Sequence, residues 1–253
     1  MKNRISLLAV VLAAVCVCGS AALALDPMGP PTSRLEKGHW SVGVDYFAED
    51  SDIELDEARP VGLVSAFKMN VEEQLVTANI AYGIADNWEI FLRLGGEASG
   101  DGTGTQGGSP VTFDGDSGSV TGLGARASLY KQGNLELGGL FQIGWGKSEG
   151  KIETRGQSFS VDGDTTEIGV AIGPSYKITE NVSIYGGPFF YFIDGDVDGN
   201  VLGIDISYDI DEASYFGGYI GTQIDIADGI AFNVELQHTA TADGLGMGLV
   251  WRF

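Results

Sequence analysis

The most regular feature of the sequence is an alternation of apolar residues with polar or small ones. It is clearest in the last nine residues, where glycine, valine and arginine separate the apolar side chains Leu245, Met247, Leu249, Trp251 and Phe253. A period of two is typical of a β-strand, whose successive side chains point to opposite faces. The carboxyl terminus is therefore predicted to be a strand with one apolar face.

The same alternation recurs along the chain and predicts ten strands. They are placed at 39–48, 73–84, 88–96, 118–130, 135–147, 165–177, 182–193, 214–225, 230–240 and 244–253. Short turns that contain Asn, Asp or Gly are predicted at 85–87, 131–134, 179–181 and 227–229.

Between these hairpins lie longer polar segments, which are predicted to be loops on the opposite side of the sheet. The most prominent are 49–59 and 99–118. The apolar segment 61–69 interrupts the first loop, and we assign it either to that loop or to an upward extension of the second strand. Short turns on one side and long loops on the other are typical of a transmembrane barrel.

The outward faces of the strands support a barrel in a membrane. On the third strand Trp88, Ile90, Leu92 and Leu94 share one face, and aromatic residues concentrate toward the strand ends. A soluble barrel has the opposite arrangement, with polar residues outside. The predicted fold is all-β: a single transmembrane antiparallel up-and-down β-barrel of about ten strands, with eight or twelve as alternatives.

The terminal strand resembles the closing strand of bacterial outer-membrane β-barrels, which ends on a Phe that the assembly machinery reads. Trp251 and Phe253 occupy the positions of that assembly signal. The chain is similar to the small barrels of the outer-membrane protein A-like and opacity-like families. The resemblance implies a monomer in the outer membrane of a Gram-negative-type bacterium, with outer-membrane lipids and the barrel assembly machinery as partners.

The amino terminus has the pattern of a cleaved secretory signal. Two positive charges precede an apolar run, and small residues end at Ala24. We predict a signal peptide at 1–24, an extended periplasmic lead-in at 25–38 and the barrel at 39–253. Both cysteines lie within the signal, so the mature chain is expected to have no disulfide.

The chain is strongly acidic. It contains 35 Asp and Glu residues against 14 Lys and Arg residues, and its formal net charge is -21. A surface of this sign repels a polyanion, and nucleic acid is therefore not expected as a partner.

The inward face is predicted to carry charged residues that form salt bridges across a narrow interior. They are Asp45, Glu89, Arg93, Arg126, Glu136, Glu167, Lys177, Asp225, Glu235 and Arg252. Arg252 is expected to meet Glu89 or Glu136 near the periplasmic mouth. Six aromatic residues are assigned to the same face, namely Phe91, Tyr185, Phe189, Tyr191, Tyr215 and Tyr219. The lumen of about ten strands is only slightly wider than side chains can fill, so we predict a narrow or blocked interior.

One acidic segment resembles the calcium loop of EF-hand proteins. Its spaced ligands would be Asp194, Asp196, Asp198, Asn200 and Asp205, with a glycine at the sixth position for the bend. The resemblance implies calcium as the one candidate cofactor. Two departures weaken the match, because the last ligand is Asp where the family has Glu and because strands replace the flanking helices. The alternative is a solvated acidic hairpin tip.

The chemistry expected of a barrel enzyme is not evident. His39 precedes the first strand and His238 faces outward, so neither is placed for a lumenal triad. Glu89 and Glu235 offer a carboxylate pair, but salt bridges explain them more simply.

Three functions therefore stay open. The first is a non-enzymatic barrel that acts in envelope structure or in surface interaction through acidic outer loops, with an extracellular ligand. The second is a narrow ion or small-solute channel, and the third is an outer-membrane enzyme. We expect the first.

Overall fold

The computed structural model describes residues 27–59, 67–154, 156–201, 204–212 and 215–253. The predicted signal peptide and part of the apolar segment 61–69 lie outside these ranges. Among the described residues, no helix is long and apolar enough to cross a membrane.

The described chain forms eleven antiparallel β-strands. Their bounds are β1 Trp40–Arg59, β2 Phe67–Ala85, β3 Trp88–Gln106, β4 Ser109–Gln132, β5 Leu135–Thr154, β6 Gln157–Lys177, β7 Val182–Val201, β8 Ile204–Glu212, β9 Phe216–Ala227, β10 Ile230–Thr239 and β11 Ala242–Arg252. The four predicted short turns connect β2 to β3, β4 to β5, β6 to β7 and β9 to β10, which confirms that part of the prediction.

Ten of these strands close into a ring, which we call the lower ring. It contains β1–β7 and β9–β11, and it is closed by antiparallel pairing of β11 with β1, in which Val44 lies opposite Leu249. At its end the Trp40 amide donates to the Phe253 carbonyl at 3.0 Å, and the Phe253 amide donates to the Trp40 carbonyl at 2.9 Å. The carboxyl-terminal residues therefore form the closing strand, as predicted.

The upper part of the barrel has a different strand set. Above the lower ring, β8 pairs with β7 on one side and with β1 on the other, in the place that β9, β10 and β11 occupy below. The upper ring thus has eight strands, β1–β8. We call this upper part of the barrel the extension.

Strand lengths explain why the barrel has two parts. A membrane-crossing β-strand needs about 9–11 residues. β9, β10 and β11 contain 12, 10 and 11 residues, whereas β1 contains 20 and β4 contains 24. The first seven strands are therefore long enough to cross once and to continue for a similar distance beyond the membrane.

The two parts have opposite polarity. In the lower ring, large apolar side chains lie outside and are exposed, among them Trp40, Trp88, Ile90, Leu94, Leu123, Phe141, Trp145, Ile172, Phe190, Ile220, Leu236 and Leu249. In the extension, the apolar side chains lie inside and form a buried core of Ile53, Leu55, Phe67, Met69, Val71, Val111, Ile152, Val161, Val197, Tyr208 and Ile210. The lower ring thus suits lipid outside, and the extension suits water.

The prediction of long outer loops is wrong. The segments 49–59 and 99–118 lie largely on β1, β3 and β4, and residues 67–69 extend β2 upward. The connection between β3 and β4 is a tight turn at Gly107 and Gly108, whose φ angles of 57° and 79° only glycine adopts readily. β8 was missed because its acidic composition resembles a loop, although Ile206, Tyr208 and Ile210 keep the strand period.

A core substitution tests the inverted polarity of the extension. Leu55→Ala removes a side chain that is 2% exposed inside the extension, so the free energy of unfolding is expected to fall by about 2–5 kcal/mol. Its outward neighbour Glu54 forms an ion pair with Lys68 at 2.9 Å, and Glu54→Ala is expected to cost only about 0–1 kcal/mol. Denaturant titration of the detergent-solubilised protein, followed by circular dichroism, measures both. Equal losses would contradict an apolar interior.

Candidate functional site

The segment 27–38 fills the lower part of the barrel interior, and we call it the plug. Met28, Pro31, Thr32 and Leu35 are buried among the inward side chains of the strands. The segment was predicted to be a periplasmic lead-in, but the structure places 27–35 inside the ring and leaves only 36–38 exposed at its rim. Its three prolines lack an amide hydrogen and favour an extended chain, so fewer backbone donors need partners in the interior.

Glu235 binds the end of the plug that lies furthest inside the barrel, at Met28 and Gly29. Its carboxylate accepts hydrogen bonds from the Met28 amide at 2.7 Å and from the Gly29 amide at 2.8 Å. The Tyr185 hydroxyl at 3.2 Å and the Gln237 side-chain amide at 2.9 Å donate to the same carboxylate. A buried charge is costly unless its hydrogen bonds are filled, and these four donors fill them.

Two arginines hold the carbonyl groups of the same stretch. The Arg93 Nη2 donates to the Pro27 carbonyl at 2.6 Å, and the Arg126 Nη2 donates to the Met28 carbonyl at 2.8 Å. The Arg126 guanidinium also lies over the Phe91 ring, with 4.6 Å between Cζ and the ring centroid. These side chains therefore fix the backbone of the plug.

Glu89 holds the middle of the plug. It accepts from the Arg34 amide at 2.7 Å and from the Ser33 hydroxyl at 3.3 Å, and it pairs with Arg126 at 3.2 Å. Gly138 permits the close approach of the wall, because a Cβ there would lie 2.5 Å from the Pro31 carbonyl oxygen. The fit of the plug thus depends on charges and on a glycine from separate strands.

The remaining predicted lumenal charges also lie on the inner side of the wall or at its mouth. Asp45 accepts from Asn79, and Glu136 accepts from Ser128. Glu167 is buried on β6, and Lys177 lines the mouth.

The predicted partner of Arg252 is wrong. Arg252 does not pair with Glu89 or Glu136 and instead meets Asp225 at 3.0 Å. The reason is sequence register, since β9 and β11 both lie beside β10 and bring these two residues to the same rim.

Aromatic side chains of the wall pack in the same core cluster as Met28 and Leu35 of the plug. Phe91, Tyr185, Phe189, Tyr191 and Tyr219 are buried in the core cluster of the lower ring, as assigned from the sequence. Tyr215 is an exception, because it is exposed and stacks on the outward-facing Phe192 at 5.6 Å between ring centroids.

The space left in the interior is small. A cavity of about 70 Å³ remains beside the plug, lined by residues that include Asp45, Arg93 and Glu235. At the mouth formed by the tight turns, a vestibule of about 640 Å³ opens below the plug.

The predicted calcium segment does not form a loop. Asp194, Asp196, Asp198 and Asn200 lie on β7, and Asn200 pairs with Asp205 across the β7–β8 hairpin. Alternate residues of a straight strand point the same way along its length and do not converge on one ion. Within the described ranges, no group of three His, Cys, Asp or Glu side chains is arranged to hold a metal ion.

The histidines are outside the interior. His238 lies on the outer face, where its Nδ1 is 2.6 Å from the Asp243 Oδ1, and His39 is exposed beside the rim. The carboxylates of Glu89 and Glu235 are both engaged by plug amides. The structure therefore brings the predicted charges together around the plug and leaves the histidines apart from them.

The exposed lysines of the extension are paired with acids. Lys151 lies 2.6 Å from Asp116 and Lys147 lies 2.6 Å from Asp164. The hydrogen bond to Asp116, together with the charge of that carboxylate, raises the pKa of Lys151. Both lysines therefore stay cationic and neutralise part of the acidic surface.

Removal of the Glu235 carboxylate is expected to loosen the plug. Met28→Cys places a thiol at a position that is 1% exposed, so a water-soluble maleimide should label it slowly. Adding Glu235→Ala removes the acceptor of two plug amides and should speed labelling about tenfold or more. Adding Glu180→Ala, in a distant turn, is the control and should change nothing. Fast labelling of Met28→Cys alone would show that the plug does not occupy the interior.

Comparisons with known proteins agree with this architecture. No protein-family model matches the chain, and no curated protein sequence is similar to it. The outer membrane protease OmpT from Escherichia coli is similar in structure, with a TM-score of 0.54, 8% identity, and coverage of 92% of this chain and 100% of OmpT. OprG from Pseudomonas aeruginosa gives a TM-score of 0.47, 12% identity, and coverage of 86% and 97%. The likeness to OmpT, the closed ring and its apolar exterior show that the chain has the fold of an outer-membrane β-barrel.

Proposed function

We propose that the protein is a closed, non-enzymatic barrel of the outer membrane that presents an acidic extension at the cell surface. Its role is in envelope structure or in the binding of a positively charged extracellular partner. The extension has a polar exterior that lipid would not solvate, so it lies in water. The opposite rim carries the tight turns, which face the periplasm in barrels of this kind. The rim that carries Lys37 and Phe253 then faces the periplasm.

The observation that carries the surface role is a row of five exposed carboxylates across adjacent strands. Cross-strand pairing places Asp243 opposite Asp50, Asp50 opposite Glu72, Glu72 opposite Asp101, and Asp101 opposite Asp114. Like charges directly opposite each other destabilise a sheet. The repulsion within the row lowers the stability of the sheet, and a positively charged partner would neutralise that repulsion.

The spacing of the row favours a partner with several separate positive charges. Opposite Cβ atoms in a sheet lie about 4.5–5.5 Å apart, so the carboxylates form a line and not a pocket. His238 lies beside Asp243 at one end, and Lys151 lies opposite Asp114 at the other. A cationic peptide or a basic protein surface matches this arrangement better than a single ion does.

The filled interior supports a closed barrel. The plug and the aromatic side chains packed with it fill the lower interior, and the apolar core of the extension forms a second seal. With both seals in place, the barrel is expected not to conduct ions. A narrow channel is the second candidate, because the vestibule and the cavity beside the plug share Arg34, Gln223 and Arg252 along their walls.

Planar-bilayer recording separates these two candidates. The wild-type protein is expected to give no steady openings. A variant that lacks 27–37 should also stay silent, because the core of the extension remains in place. Steady ion-selective openings of the wild type would contradict the closed barrel and favour the channel. Openings of the deletion variant alone would show that the core of the extension is not a second seal.

The carboxylate row is tested with oligolysine as a cationic probe. Glu72→Gln, Asp101→Asn and Asp114→Asn together should weaken oligolysine binding about tenfold at low salt and should reduce its salt dependence. The same triple variant should be slightly more stable, by about 0.2–1 kcal/mol per relieved pair. Calorimetry and denaturant titration measure the two effects.

The control removes three negative charges at the opposite rim. Asp86→Asn, Glu180→Gln and Asp228→Asn lie in the tight turns and change the net charge equally. Oligolysine binding should remain as in the wild type. If the two triple variants weaken binding equally, net charge alone explains it and the row has no special role.

A further inference from the structure

The periplasmic vestibule below the plug contains an arginine whose guanidinium is not fully hydrogen-bonded. Arg34 lies on the plug and lines the vestibule of about 640 Å³. Its Nε and Nη2 atoms are buried and have no hydrogen-bond partner in the part of the chain that the structure describes. An unfilled buried donor is costly, and the cost is larger for a charged group.

The acids near Arg34 are engaged by other donors. Glu136 accepts from the Ser128 hydroxyl and pairs with Lys131 at 3.5 Å. Asp225 pairs with Arg252 at 3.0 Å and accepts from the Gln223 side-chain amide at 3.3 Å. These carboxylates moderate the field around Arg34 but do not bond to its guanidinium.

Two further acids line the vestibule and lie toward its opening. Asp86 accepts from the Lys37 backbone amide at 3.3 Å, and Glu36 is exposed at the rim. Lys177 completes the set as a second cation on the wall, and no ion pair to its ammonium is found among the described residues. The vestibule therefore contains two cations without a bonded acid, Arg34 on the plug and Lys177 on the wall.

We propose that the vestibule binds an anionic group that enters from the periplasm, with Arg34 as the principal contact and Lys177 as the second. The Nε and Nη2 atoms form the planar fork that donates hydrogen bonds to two oxygens of a carboxylate or a phosphate. A vestibule of this size is within the range of small-ligand sites. This site is at the opposite rim from the carboxylate row. Its periplasmic location rests on the orientation proposed above, but its binding chemistry does not depend on the surface role.

The anionic group can come from a peptide terminus or from a phosphorylated small molecule, and one probe represents each source. N-acetylglycine carries the carboxylate of a peptide terminus, and inorganic phosphate represents a phosphorylated small molecule. Each is titrated by calorimetry into the full chain in a non-ionic detergent. Binding of either probe that depends on Arg34 supports the site, and the tighter probe identifies the source.

Three substitutions measure how much each cation contributes to binding. Arg34→Gln should weaken binding about tenfold or more, because it removes the fork and the charge. Arg34→Lys should weaken it less, since it keeps the charge and loses the fork. Lys177→Gln should give a smaller loss than Arg34→Gln.

Lys37→Gln is the matched control. It removes one positive charge from the same segment, but Lys37 does not line the vestibule. Binding should be unchanged in this variant. Slow maleimide labelling of Met28→Cys in the Arg34→Gln background verifies that the plug remains seated. If neither probe binds the wild type, or if Arg34→Gln and Lys37→Gln bind alike, the proposed site is wrong.

Discussion

The structure depends on the side of the wall to which the apolar residues point. A β-strand places successive side chains on opposite faces, so a single strand can face lipid along one half and water along the other. On β1 the outward residues change from Val44 and Tyr46 to Asp50 and Asp52, while the inward residues change from Asp45 to Ile53 and Leu55. The strand continues without interruption through this change. One strand can therefore serve both parts of the barrel, and the upper ring is smaller because β8 replaces β9, β10 and β11 there.

The interior of the lower ring must satisfy buried charges, and the plug supplies their partners. Glu89 and Glu235 accept backbone amides of the plug, while Arg93 and Arg126 donate to its carbonyl groups. Charges of both signs thus bind a neutral backbone, which offers amide donors as well as carbonyl acceptors. The side chains hold the segment, and the segment removes the need for open water around the charges.

Much of the fold could be predicted from the sequence because the strand period is visible in a single chain. The parity of Trp88 to Leu94 identified the lipid face, and the tight turns fixed four hairpins. The extension was misread because its outward residues are acidic and its composition resembles a loop. Its inward residues, such as Val161 and Val197, kept the period and could have revealed the strands.

The site could be predicted only in part. Parity placed Glu89, Arg93 and Glu235 on the inner face, but a pairing of side chains with a remote backbone leaves no local pattern. The plug was hidden for this reason, since Pro30 and Pro31 indicate an extended segment and not its location. Arg34 was not predicted as a site residue either, because its position depends on the path of the plug inside the barrel.

The reversal of polarity along one strand is measured most directly by the accessibility of spin labels on β5. Single labels at Phe141 and Glu149 face outward, and one at Ile152 faces the interior of the extension. Oxygen, which partitions into lipid, is expected to relax the label at position 141. A water-soluble nickel chelate is expected to relax the label at 149, and neither should reach 152. Lipid exposure at both outward positions, or nickel access at 152, would contradict it.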